Sequence, residues 1–191
     1  MSSASDDHGT TLRAIVRADT LLMRLLRAVR SQALPGSFLA AGVVRDRVWD
    51  HLHGLPARPP KDVDVIFFDE DAEESLATET TRALSVLEPD VVWDVVNQAH
   101  VHRWYRDDGG GPVPPLRSSE HGISTWPETV TCLGVRLCDD DTIEVCAPHG
   151  LDDLFALRWR HHAARASLAT FERRLASKGV TSRWPRAVVI R

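Results

Sequence analysis

Cysteine is scarce in this chain: 191 residues hold three, Cys132, Cys138 and Cys146, with no Cys-x-x-Cys pair. An odd number without paired spacing argues against a disulfide framework and a structural zinc site. Reduced thiols are the simplest reading. A basic excess is also missing, since 23 Lys and Arg stand against 27 Asp and Glu. That argues against a dedicated nucleic-acid binder, although a local basic patch stays open. No apolar run approaches the ~20 residues of a membrane span, and the opening MSSASDDHGTT has no apolar signal core. A cytoplasmic protein with no membrane partner is therefore expected. Hydrophobic residues at 43% and charged residues at 26% are ordinary for a globular chain. The length suits one domain, expected over residues 11–191 behind a disordered tail at residues 1–10.

Periodicity predicts a helix over Thr11 to Arg30, with Leu12, Ile15, Val16, Leu22, Leu26 and Val29 on one face and the arginines mostly solvated. Ser37 to Ala40 reads as a short strand, Ala41-Gly42 as a tight turn, and Val43 to Leu52 as a helix. Asp62 to Phe68 alternates and then becomes apolar, as a central strand with a polar start does. A second helix is expected over Ala72 to Leu87, with Leu76, Leu84 and Leu87 inward, and a third strand over Val91 to Val96. Val130 to Leu137 and Thr142 to Val145 read as a hairpin around a solvated Asp139-Asp140-Asp141 turn. A helix beginning near Asp152, ending around Arg158 and Arg160, and a last helix over Ala163 to Lys178 complete the pattern. The whole reads as α+β, a small mixed sheet flanked by helices.

The chemistry concentrates between Phe38 and Asp69, FLAAGVVRDRVWDHLHGLPARPPKDVDVIFFD. A strand ends in the small residues Ala40-Ala41-Gly42 and opens a helix, so backbone amides are available to an anion and no bulky side chain blocks a phosphate. Arg45 follows about one turn later, with a guanidinium suited to phosphate or carboxylate. Asp62 and Asp64 are two apart on a strand, which puts both carboxylates on one face. Two oxygen ligands beside a phosphate cradle suit Mg²⁺ or Mn²⁺, and the ion offsets their mutual repulsion.

Gly42-x-Val44-Arg45-Asp46 followed by Asp62-x-Asp64 resembles the head of tRNA CCA-adding enzymes and, more broadly, the polymerase-beta-like nucleotidyltransferase superfamily. The wider pattern is similar to a narrower bacterial nucleotidyltransferase-like family. It runs through Val48-Trp49-Asp50, Trp93, Asn97-Gln98-Ala99, His102, Trp126-Pro127-Glu128-Thr129 and Ala147-Pro148 to Leu154. The resemblance implies a polymerase-beta-like fold, a third carboxylate on a neighbouring strand, and metal-dependent transfer of a nucleotidyl group from an NTP. It implies no acceptor, which is open among small molecule, protein and RNA. One departure matters: Ala41 stands where the family has a glycine, narrowing phosphate approach unless the turn needs positive φ.

The expected catalytic set is Asp62, Asp64 and Asp94, with Asp62 and Asp64 as the metal ligands. Asp94 alternates with Val92 and Val96 beside the Asp62 strand, and Glu144 is the alternative third acid. Ala41, Gly42, Arg45 and Asn97 are the expected nucleotide-binding residues. His100 and His102 share a face only if their strand continues, and Cys132 has no evident base. The alternative function is a catalytically inactive nucleotide-binding module, or a toxin- or antitoxin-type interaction protein. The chain leaves little room for the helical body of a CCA-adding enzyme, so tRNA 3′-end synthesis is not the expected reaction.

Overall fold

Alternation in three short strands divides the inside of the molecule in two. In the computed structural model, which describes residues 3–163 and 166–191, helices α1 (Ser3–Ala18) and α2 (Thr20–Arg30) lead into β1 (Phe38–Ala40), α3 (Gly42–His53) and β2 (Val63–Phe67). Then come α4 (Leu76–Leu87), β3 (Trp93–Asn97), α5 (Val101–Trp104), α6 (Ser119–Ile123), β4 (Gly134–Leu137) and β5 (Ile143–Cys146). The chain ends with α7 (Asp152–Phe155), β6 (Arg158–Arg160), α8 (Leu168–Lys178), α9 (Val180–Arg183) and β7 (Val188–Ile190).

Five strands form one mixed sheet in the order β3-β2-β1-β4-β5. Only β2 and β3 run parallel; the other neighbours are antiparallel. Leu39, Val63, Val65, Phe67, Trp93 and Val95 face the main core with the apolar stripes of α1, α2 and α3. Phe38, Ala40 and Ile66, one residue out of phase, face a smaller cluster with Ile123, Cys132 and Cys146. Side chains alternate across a pleated strand, so Asp64 and Asp94 fall on this second face. The main core would not have tolerated them without partners. Trp49, fully buried on α3, packs edge-on against Trp159 and Trp184 and donates from Nε1 to the Leu154 carbonyl at 2.9 Å.

Several expectations need correction. The residues read as a disordered tail are helical from Ser3 onward, because His8 stacks on Phe155 at 4.5 Å and anchors the first turns; Met1 and Ser2 lie outside the described residues. The single helix expected over Thr11 to Arg30 breaks at Asp19, whose carboxylate accepts from the Leu22 amide at 2.9 Å as an N-cap. The strand after Trp93 stops at Asn97 and turns helical, so His100 and His102 do not share a strand face. The helix at Asp152 lasts four residues; Arg158 and Arg160 instead lie on β6, which pairs with β7. Leu87 is exposed. The last helix begins at Leu168, while part of its expected start, 164–165, lies outside the described residues. The Asp139 to Asp141 turn is clasped rather than only solvated: Arg30 meets the Asp141 carboxylate at 2.7 Å and the Cys138 carbonyl at 2.9 Å.

Candidate active site

The parallel register sets Asp64 of β2 beside Asp94 of β3. In adjacent parallel strands, residues in register project to the same face, with backbones ~4.8 Å apart. Asp62 lies just outside β2, which begins at Val63 instead of at Asp62, and its charge acts on Asp64. Asp62 and Asp94 are exposed at the rim, and Asp64 is half-buried between them. Burial pushes the Asp64 carboxyl up to about 6; the charges of Asp62 and then Asp94 push in the same direction, against the pull of Lys178 and Arg174. This is a carboxylate cluster with a surplus of like charge, the arrangement a hard divalent cation stabilises. Glu144 is on β5, three strands from β2 at the other edge of the sheet, where it takes two hydrogen bonds from Arg136. Of the two candidate third acids, the structure therefore brings Asp94 to the pair.

The acids open onto a cavity of about 370 Å³ lined by Ala41, Asp64, Asp94, Gln98, Trp126 and Arg174, among others. Ala41 enters because Ala40 pairs with Asp64 across β1 and β2, so the small-residue turn leaves the sheet beside the acids. Its backbone lies at φ 55°, ψ −123°, a region that L side chains rarely adopt. The turn thus has the positive φ that favours glycine, the residue that the family resemblance implies here. The Ala41 amide donates to the Leu133 carbonyl at 2.8 Å, and no side chain caps the start of α3. The amides of the first helical turn are therefore suited to an anion. Gly42, the first helical residue, follows in an unstrained conformation; a Cβ there would come no nearer than 3.7 Å to the Arg45 guanidinium.

Two expected nucleotide contacts are not brought to the cavity. Arg45 is buried behind the turn: it pairs with Asp46 and stacks on Trp159, with its guanidinium carbon 4.7 Å from the ring centroid. A stacked, ion-paired arginine supports the start of the helix instead of reaching outward. Asn97 donates to the Asp69 carbonyl at 2.7 Å and accepts from the Asp69 and Ala99 amides at 3.1 Å. Its amide ties the end of β2 to the end of β3.

Other residues take their places. Glu128 is fully buried and accepts from Arg174 at 2.6 and 3.0 Å, and from Thr131. This fork holds the Arg174 guanidinium at the cavity wall. Arg174 and Lys178, four apart on α8, bring positive charge toward Asp64. Their spacing puts them on one helical face, which was a readable signal, but nothing in the sequence joins that face to the acids. Gln98 also lines the cavity and lies over Gly122, where any Cβ would collide with its amide. Burial pushes the Cys132 thiol up to about 12, so Cys132 is no nucleophile at neutral pH.

Comparison with known proteins gives the family and the fold. A sequence model of a nucleotidyltransferase family matches residues 27–189. A solved NMR structure described as revealing a CCA-adding enzyme head domain is similar over 93% of this chain and 93% of its own, at 26% identity and TM-score 0.78. A chain from a tRNA-processing enzyme complex is similar over 87% of this chain and 43% of its own, at 15% identity and TM-score 0.52, a likeness of fold. No curated protein matches the sequence. No helix among the described residues is long and apolar enough to cross a membrane.

Proposed function

This chain belongs to the nucleotidyltransferase family, and from that premise we propose that it transfers a nucleotidyl group from an NTP to an acceptor hydroxyl, using Asp62, Asp64 and Asp94. The observation that carries the reading is the register of β2 and β3, which sets Asp64 beside Asp94 on the face that opens to Ala41. The oxygen-only donor set, with an Asp64 pKa raised first by burial and then by the charges of Asp62 and Asp94, fits Mg²⁺ or Mn²⁺, with Asp62 and Asp64 as ligands. Such an ion, when bound, neutralises phosphate charge as the pyrophosphate departs.

The protein's own groups supply the rest. The Ala41-Gly42 turn and the first amides of α3 receive the triphosphate, with N–H groups already fixed in place before the charge develops. Arg174, fixed by Glu128, offsets the negative charge gathered at Asp64 and the phosphates. Asp94 accepts the proton of the acceptor hydroxyl as that oxygen bonds to the α-phosphorus and the bond to pyrophosphate breaks. The rings of Trp104, Tyr105 and Trp126 line the same cavity and offer apolar surface to a base.

The test is incubation with each α-labelled NTP and Mg²⁺ or Mn²⁺ in cell extract, beside an Asp62→Ala, Asp64→Ala double variant. Label appearing on an acceptor with the native chain alone supports the reading. Equal labelling by both overturns it.

A further inference from the structure

Cys132, His149 and His162 come from three separate segments: the turn before β4, the loop after β5 and the loop after β6. One ligand atom from each lies within 4.8 Å of the others, and among the described residues theirs is the one such group. We propose that these three side chains form a transition-metal site, suited to Zn²⁺, that braces the wall of the cavity. It is separate from the carboxylate set and does not depend on it.

The donor chemistry selects the ion. One thiolate and two imidazoles are soft to borderline ligands, which favour zinc and disfavour Mg²⁺. Tetrahedral zinc with ~2.3 Å bonds to sulfur and ~2.0 Å bonds to nitrogen holds its ligands ~3.3–3.6 Å apart, so atoms that lie within 4.8 Å of one another need to close by no more than about 1.5 Å.

The hydrogen bonds prepare the rings. Nε2 of His149 lies 2.8 Å from the Ser124 carbonyl, and Nδ1 of His162 lies 2.9 Å from the Trp126 carbonyl. A carbonyl only accepts, so in each neutral ring that nitrogen carries the proton and the other keeps a lone pair; the Cys132 thiol donates to the Trp126 and Glu128 carbonyls at 3.6 and 3.4 Å, contacts that binding a metal would replace. Backbone carbonyls fixing histidine tautomers in this way are the usual support of ligating imidazoles. The two rings also lie 4.3 Å apart between centroids. His149 is exposed and gives the ion a way in, whereas Cys132 is buried.

Coordination forms a zinc–sulfur bond and releases the thiol proton to solvent. Three protein ligands leave a fourth position for water. The consequence for the fold is local. The His162 amide already donates to the Pro127 carbonyl at 2.8 Å, and Trp126, Pro127 and Thr131 line the cavity. A metal on His162 and Cys132 therefore pins both ends of that wall, including Glu128, which positions Arg174. Because the three ligands are far apart in sequence, no local spacing announces the site.

The test is direct metal binding by the full chain after chelator treatment and buffer exchange. Co²⁺ is the optical probe, because a thiolate-to-cobalt charge-transfer band reports sulfur ligation and carboxylates do not produce one. Zinc is then measured by titration. The expected result is one equivalent per chain, a charge-transfer band, proton release, and a Tm that rises with zinc. Cys132→Ser abolishes the band. The exposed-site variant His149→Ala, which spares the core, weakens zinc on the order of 100-fold or more. Cys138→Ser and Asp64→Asn leave both readouts unchanged. Absence of stoichiometric zinc, or a band that persists in Cys132→Ser, overturns the proposal; so does unchanged zinc affinity in His149→Ala.

Discussion

Ala41→Gly is expected to stabilise the protein, against the usual sense of that substitution. Ala41 holds φ 55° and ψ −123° at the mouth of the cavity. A non-glycine residue in so sparsely populated a region is strained by about 1–3 kcal/mol. Glycine removes that strain, but its greater freedom in the unfolded chain offsets about 0.5–1 kcal/mol. The lost methyl group is only partly buried, so it contributes less than the ~0.8 kcal/mol of a fully buried methylene. The balance is a gain approaching about 1 kcal/mol, which for a domain of this size raises Tm by roughly 2–4 °C. Urea unfolding with an unchanged m-value is the assay. Ala40→Gly is the control, since Ala40 is buried in a strand with no strain to relieve, and it is expected to lower stability. If Ala41→Gly is neutral or destabilising, the turn is not strained and the reason given for favouring glycine there fails.

Further outcomes follow from the same contacts. The folded-state pKa of Asp64 is raised to about 6 from 3.8, so in metal-free protein the carboxylate opposes folding at neutral pH and not in acid. Asp64→Asn is therefore expected to match the native chain near pH 4 and to exceed it progressively up to pH 7, by at most about 3 kcal/mol; a stability difference that does not vary with pH contradicts this. Arg174→Met leaves the buried Glu128 charge unpaired and is expected to lower stability by about 3–5 kcal/mol, read by denaturant unfolding, with Glu128→Gln in the same chain restoring part of it. Arg45→Lys loses the stacking on Trp159 and is expected to lower Tm while leaving nucleotide affinity unchanged, because Arg45 is outside the cavity.

What could be read in advance is what depends on local periodicity. The pairing of Asp64 with Asp94 follows the period-two rhythm of both strands, in which Val92 and Val96 flank Asp94, whereas Asp62 falls just before β2, where the sequence suggested the strand had already begun. The small-residue turn at Ala41 was visible as composition, but its positive φ belongs to the crossing from β1 to α3. Arg45 and Asn97 carry side chains suited to phosphate and base; both are engaged by partners distant in sequence, Trp159 for one and Asp69 for the other. The Glu128–Arg174 fork spans 46 positions, and β6 pairs with β7 across α8, distances at which no pattern in a single chain is informative. The break at Asp19 has no mark in the sequence because the apolar stripe continues across it, while the carboxylate that caps α2 looks like any surface acid.

On the function proposed above, Asp62 and Asp64 hold a divalent ion with the triphosphate, and Asp94 stands beside them as the proton acceptor. Calorimetric titration of Mn²⁺ in the presence of a non-hydrolysable NTP analogue measures this directly, in the native chain and in the Asp64→Asn and Asp94→Asn variants. Tight binding that requires both ion and nucleotide is expected, with a loss of at least tenfold in affinity in Asp64→Asn and a smaller loss in Asp94→Asn. Equal affinity in all three proteins contradicts it.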